Sequence, residues 1–268
     1  MSAVNRIDQR FQELKAAGKT AFIPYITAGD PTLAQTEQIV YALEAAGADI
    51  IELGVPFSDP IGDGPVNQEA ALRALIHHVT LKDVIALIKT IREKSQVPIL
   101  IFTYYNPVLA YGLDAFANDA ADAGADGVLC VDLPPEEAGG YKSALDGRDL
   151  RTVFLLSPTS TDERIKLIAE KSTGFVYYVS RLGVTGEQSA LAADLDKAVA
   201  KIQRHTDTPV AVGFGISTPD QARAVAGMAD GVIVGSAIVR MIGDLGESPE
   251  TAGKVGAFAK SLADATKG

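Results

Sequence analysis

Two carboxylates, Glu52 and Asp63, stand eleven positions apart in this chain. Glu52 closes the short apolar run Asp49-Ile-Ile-Glu-Leu. Asp63 sits in the segment that follows, Gly-Val-Pro-Phe-Ser-Asp-Pro-Ile-Gly-Asp-Gly-Pro (54–65). Strand side chains alternate, so Ile50 and Glu52 share one face and Ile51 and Leu53 the other. A strand apolar on both faces belongs to a covered parallel sheet. An acid buried there, at the carboxyl end of the strand, is destabilising unless something uses it. Burial also raises a carboxyl pKa, which suits Glu52 to moving protons near neutral pH. Asp63 lies on a loop able to close over the same mouth, although a turn residue in Gly-Asp-Gly reads equally well. Asp59, in Ser-Asp-Pro, reads alone as a turn former. Tyr177 shares a strand face with Phe175 and Val179 and alone would be core.

Other chemistries find little support. His77, His78 and His205 are the only histidines, and none falls at an expected strand end, which speaks against a histidine-built metal site. A Schiff-base lysine belongs near a barrel mouth. Lys82, Lys89, Lys142, Lys166 and Lys197 instead fall in helical segments or their flanks. Cys130 lies within a strand and reads as a small buried hydrophobe.

The elements that would position these groups alternate without a break. Strands are predicted near Ala21–Ile26, Ile50–Leu53, Ile99–Thr103, Gly127–Val131, Thr152–Leu156, Gly174–Val179, Val210–Val212 and Gly231–Val234. Helical patterns separate them, over 33–46, from the Thr80/Asp83 cap onward, over 118–123, from Asp162 onward, and over 191–202, 218–226 and 249–265. An extra helix, Arg6–Ala16, leads. Ala-Ala-Gly-Ala-Asp (45–49) nearly recurs as Asp-Ala-Gly-Ala-Asp (122–126), with Gly-Met-Ala-Asp (227–230) a degenerate copy. Each marks a helix end turning into a strand. Eight βα units in 268 residues, with no polar linker, predict one closed (β/α)8 barrel, the TIM-barrel architecture, over 1–268. Gly-rich loops follow the last three strands: Ser180–Gly186, Gly213–Ser217, and Gly235-Ser236 opening a short helix over 237–242. Backbone N–H groups at such loops and at a helix start bind phosphate. No Walker or dinucleotide fingerprint is present.

The net charge of −10 gives no electrostatic reason to seek nucleic acid or anionic membrane, so an anionic substrate needs local donors. A single cysteine fits a reducing compartment. The polar start is no signal peptide and no apolar run spans a bilayer, so a cytoplasmic protein is expected.

The 51–65 run closely resembles the signature of tryptophan synthase alpha subunits. Ile-Pro-Tyr-Ile-Thr-Ala-Gly-Asp-Pro (23–31), Ser-Arg-Leu-Gly-Val-Thr-Gly (180–186), Val-Gly-Phe-Gly-Ile-Ser (212–217) and Gly-Ser-Ala-Ile-Val (235–239) agree. The resemblance therefore runs from the first strand to the last. It implies retro-aldol cleavage of indole-3-glycerol phosphate to indole and glyceraldehyde 3-phosphate, without metal or organic cofactor. Glu52 would be the acid/base, Asp63 would accept from the indole N–H, and Tyr177 would line the pocket. Gly186, Gly215, Gly235 and Ser236 would hold the phosphate. Phe22, Phe102 and Leu129 would sandwich the ring, and Thr185 would orient the Asp63 loop. The resemblance also implies an α2β2 heterotetramer, whose β subunit carries pyridoxal phosphate and receives the indole. Pro56, Phe57, Asp59, Asn106 and Pro134 would face that partner. Two departures stand out: Ile61-Gly62 replaces the commoner Leu-Ala, and Phe102 is bulkier than the usual aliphatic residue. Another phosphosugar barrel, such as an isomerase or indole-glycerol-phosphate synthase, and a non-catalytic activator of a β subunit are the competing readings. A synthase would need a strand-end lysine, and the presence of both acids weakens the activator.

Overall fold

The computed structural model describes residues 4–180, 188–213 and 215–268, excepting the side chains of 188–193. Nine parallel strands form one sheet in the order β5-β4-β3-β2-β1-β9-β8-β7-β6. They are β1 (Ala21–Thr27), β2 (Ile51–Gly54), β3 (Ile99–Thr103), β4 (Gly127–Cys130), β5 (Arg151–Val153), β6 (Leu155–Leu156), β7 (Val176–Val179), β8 (Val210–Gly213) and β9 (Gly231–Val234). β5 and β6, the two ends of that order, are halves of one strand parted at Phe154. The sheet thereby curls into an almost closed barrel. The predicted fifth strand (152–156) is thus split in two, with β5 pairing only β4 and β6 only β7.

Twelve helices accompany the strands among the described residues: α1 (Arg6–Ala16), α2 (Leu33–Ala45), α3 (Pro65–Ile76), α4 (Leu81–Ile91), α5 (Tyr105–Tyr111), α6 (Leu113–Ala123), α7 (Gly139–Asp146), α8 (Asp162–Lys171), α9 (Gln188–Gln203), α10 (Pro219–Ala226), α11 (Ser236–Leu245) and α12 (Thr251–Thr266). Caps set several starts. Thr80 and Asp83 form a reciprocal capping box at α4, as do Thr218 and Gln221 at α10.

Strand alternation sorts the core into two layers. Ala21, Ile23, Ile50, Leu100, Leu129, Val153, Phe175, Ala211 and Ile233 fill the barrel interior, and Ile7, Phe11 and Leu14 of α1 pack against them. Phe11 meets Phe175 with ring centroids 5.8 Å apart. Phe22, Ile51, Leu53, Ile101, Val128 and Val232 face outward into the helix layer.

The Gly-Ala-Asp repeat works at the amino ends of the strands. Gly47 (φ +100°) and Gly124 (φ +92°) turn the chain out of α2 and α6 in a conformation that favours glycine. The aspartate then clamps the strand before it. Asp49 N–H donates to the Phe22 carbonyl at 2.9 Å, while Phe22 N–H donates to the Asp49 carboxylate at 2.7 Å. Asp126 repeats this with Ile99 at 3.0 and 2.8 Å, and Asp230 with Val210 at 2.9 and 2.8 Å. Arg10 and Lys267 neutralise Asp49; Arg6 and Arg92 neutralise Asp126.

Candidate active site

A cleft of about 260 Å³ opens at the carboxyl ends of the strands. Tyr25, Glu52, Phe102, Tyr177 and Ile233 come from strands. Gly64, Pro65, Val66 and Asn67 come from the start of α3. Gly215, Gly235, Ser236 and Arg240 close the other side.

Glu52 lies in register between Tyr25 of β1 and Leu100 of β3. It is completely buried, and neither carboxyl oxygen has a hydrogen-bond partner among the described residues. Desolvation alone pushes its pKa well above the ordinary carboxyl range. Burial therefore favours the protonated form of this carboxyl. Tyr177 borders it. Burial, and then the nearby Glu52, hold the Tyr177 hydroxyl protonated far above its ordinary pKa. Gly213 makes room for that ring, since a Cβ there would fall 2.6 Å from Tyr177 Oη.

Asp63 approaches from the β2–α3 loop. Tyr104 Oη donates to Asp63 Oδ2 at 2.8 Å and accepts from Gly62 N–H at 2.9 Å. Gln68 Nε2 donates to the Asp63 carbonyl at 2.8 Å. Burial raises the Asp63 pKa, and hydrogen bonds from Tyr104 and Asn67 draw it back toward the ionised form. The cleft thus holds one carboxyl environment that keeps a proton and another with donors that favour charge, the division of labour of an acid/base pair.

The anion-binding features gather on the opposite side. Gly215 adopts φ +76°, which frees its backbone to approach a ligand. No side chain caps α11, so its first N–H groups remain available beside Gly235 and Ser236. Arg240, one helical turn from Ser236, is the only cationic side chain among the described lining residues. Thr185 and Gly186 lie outside the described residues.

The ring-side expectations are partly corrected. Phe22 points outward into the helix layer, paired with Val232, and does not reach the cleft. Tyr25, on the opposite face of β1, lines it and meets Phe102 edge-on at 5.0 Å. Leu129 pairs with Phe102 in register but is sealed in the barrel interior rather than lining the cleft. At the rim, Asp59, Asn106 and Pro134 are exposed and Phe57 is half-buried against Tyr104, with ring centroids 5.1 Å apart. Pro56 is buried, so its side chain is not offered to a partner.

Sequence reasoning missed Tyr25, Tyr104, Asn67 and Arg240. The period of two from Glu52's neighbours, applied to β1 at its carboxyl end, could have selected Tyr25 over Phe22. Nothing in the sequence pairs Tyr104 with Asp63, because that contact spans two loops.

Comparison with known proteins identifies the family. The family described as "Tryptophan synthase alpha chain" matches residues 11–267. Curated relatives of that name from Geobacter sp. (strain M21) and Citrifermentans bemidjiense are 49% and 50% identical, each alignment covering 97% of both chains. The crystal structure of tryptophan synthase subunit alpha from Legionella pneumophila str. Paris superposes with TM-score 0.91 at 39% identity, covering 98% of this chain and 99% of that one. A chain of Mycobacterium tuberculosis tryptophan synthase superposes at 0.88 with 37% identity over 99% of each.

Proposed function

The chain belongs to the tryptophan synthase alpha chain family, and from that premise we propose how its own residues carry out the reaction. The enzyme is a carbon–carbon lyase of tryptophan biosynthesis. It cleaves indole-3-glycerol phosphate to indole and glyceraldehyde 3-phosphate, and the indole goes to a β subunit.

One observation carries the assignment of the acid/base: Glu52 is a fully buried carboxyl without a hydrogen-bond partner among the described residues, facing a cleft whose far side is built for an anion. The protonated Glu52 gives its proton to indole C3. Positive charge then develops at the ring nitrogen, whose N–H donates to Asp63; Tyr104 holds that carboxylate in place. Glu52, now ionised in an apolar site, takes the proton from the hydroxyl on the carbon attached to C3. The bond between that carbon and C3 breaks, its electron pair restores the aromatic ring, and the hydroxyl carbon becomes the aldehyde. Glu52 ends protonated, as it began. A single raised-pKa carboxyl therefore serves both transfers, and the cycle calls for no organic cofactor; pyridoxal phosphate belongs to the β partner. Tyr25, Phe102 and Tyr177 enclose the ring, while Gly215, Gly235, Ser236 and Arg240 receive the phosphate.

The partner contact is read at the rim of this cleft. Phe57, Asp59, Asn106 and Pro134 belong to the segments that follow the strands, and the apolar Ile61 of the Asp63 loop is 87% exposed. Apolar surface beside a catalytic mouth fits a docking rim for the β subunit in an α2β2 assembly. A single buried cysteine fits a cytoplasmic setting.

The deciding experiment measures indole release from indole-3-glycerol phosphate by the purified chain, alone and with β subunit added. The chain contains no Trp, so the indole fluorescence of substrate and product is read without background from this chain. Release that is slow alone and accelerates with β supports the reading. A folded chain that binds β yet releases no indole would be a non-catalytic activator.

A further inference from the structure

α3 follows Asp63 after one glycine, and its first turn lines the cleft. Little apolar contact holds this helix down. Its buried face is three alanines, Ala70, Ala71 and Ala74, and alanine removes little apolar area from water. Leu72 and Ile76 point to solvent. A polar anchor secures the far end instead. Arg73 Nε and Nη2 donate to the two carboxylate oxygens of Asp30 at 2.7 and 2.9 Å. Asp30 is buried, and its own N–H donates to the Thr27 carbonyl at 3.2 Å. The acceptor is thus fixed to the end of β1, the strand that carries Tyr25. The guanidinium also lies against α11, since a Cβ on Gly243 would fall 2.7 Å from Arg73 Nη2. Nearer its start, α3 meets the same two elements: Ala70 packs with Tyr25 and Val239.

We propose that Arg73 is a positioning residue for the lyase reaction: clamped to Asp30 and seated on Gly243, it fixes α3 against β1 and α11 and thereby sets where Asp63 stands in the cleft. Arg73 does not line the cleft, so it acts only through its helix. The chemistry of the pair suits that task. Two parallel N–H···O bonds from one guanidinium fix angle as well as distance, which a lysine ammonium does not. A buried ion pair adds little stability over a hydrocarbon contact of the same size, so its use here is geometric. A displacement of about 1 Å at a reacting group is enough to slow turnover by about 10²-fold.

The proposal rests on the lyase reading, and its test keeps the two separable. The proteins are the wild type, Arg73→Gln, Arg73→Lys, Tyr104→Phe and the doubles that join Tyr104→Phe to each Arg73 variant, with thermal melts confirming that each is folded. For each, kcat and KM are measured with indole-3-glycerol phosphate, and Ki with inorganic phosphate. Arg73→Gln should lower kcat about 10–100-fold while KM and the phosphate Ki change by less than about threefold. Arg73→Lys should recover only part of the loss. In the doubles the losses should fall short of the product of the singles, because both residues act on Asp63, whereas independent sites multiply. Should Arg73→Gln fail to fold, Arg73→Lys, which keeps a cation opposite Asp30, carries the same cycle. An unchanged kcat, a loss confined to KM and the phosphate Ki, or fully multiplicative losses would overturn the proposal. A wild type inactive on the substrate would sink the lyase reading itself; an active wild type with any of those three results sinks only the role of Arg73.

Discussion

Glu52 shows how a side chain can be valuable to chemistry and unfavourable to folding at once. Its folded-state pKa lies above the unfolded value of about 4.3, so the native state binds the extra proton. Stability from this group is intact below that value and declines as pH rises through the folded pKa. Glu52→Gln removes the ionisable group. It should therefore raise Tm, with a gain that widens from pH 5 to pH 8, while turnover falls by at least about 10²–10⁴-fold. Thermal melts across that range beside indole-release rates check both halves; a Tm gain independent of pH would contradict the burial argument. Tyr104 acts through Asp63. Tyr104→Phe removes the donor that favours the Asp63 carboxylate and leaves Gly62 N–H unserved. The Asp63 pKa should rise, moving the acidic limb of the kcat/KM–pH profile upward, with about a tenfold loss at the plateau, within the worth of a hydrogen bond to a partly solvated charge. An unmoved limb would remove Tyr104 from the acid's environment.

Among the elements, the strands and the barrel were legible in the sequence because apolar runs bounded by glycine recur at a regular interval. α3, α5 and α7 were not. α3 buries a stripe of Ala70, Ala71 and Ala74 while Leu72 and Ile76 are 60% and 73% exposed, so its hydrophobic pattern points the wrong way. α5 contains Pro107 within its first turn, which reads as a breaker, and α7 buries only Tyr141 and Leu145. The Gly-Ala-Asp repeat was legible as a turn but not as a clamp, because the aspartate's partner lies on the preceding strand, 27 positions away for both Phe22 and Ile99. The candidate acids were found from local patterning. The donors that tune Asp63 belong partly to another loop and became visible only in three dimensions. Asp126→Ala tests the clamp: it strands the nearly buried Arg92 and leaves Ile99 N–H without its acceptor. Removing one member of a buried pair destabilises by about 3–5 kcal/mol, and chemical denaturation should find a loss on that scale. A change under about 1 kcal/mol would reduce the repeat to a turn signal.

For the whole molecule, the charge balance and the cleft pull in opposite directions. A chain of net charge −10 repels a phosphorylated substrate at long range, and Arg240 is the only described cationic side chain lining the cleft. Arg240→Gln should raise KM several-fold with little change in kcat. It should also weaken the dependence of kcat/KM on ionic strength, since the attraction it supplies is screened over about 10 Å at 0.1 M salt. Steady-state kinetics between 20 and 300 mM salt would show this, and an unchanged KM would leave phosphate capture to the backbone.

The interruption at Phe154 gives the barrel a built-in seam. β5 is held from one side only and β6 from the other, so the chain up to Val153 carries the five strands of one flank of the sheet and the chain from Leu155 carries the four of the other, joined along the β1–β9 edge. A closed cylinder has no natural first place to open; this one has. In deuterium exchange the amides of β5 and β6 should trade before those of β1, β2 and β9. Pieces separated at Phe154 should also find each other again in solution, with recovered indole release as the sign that they have.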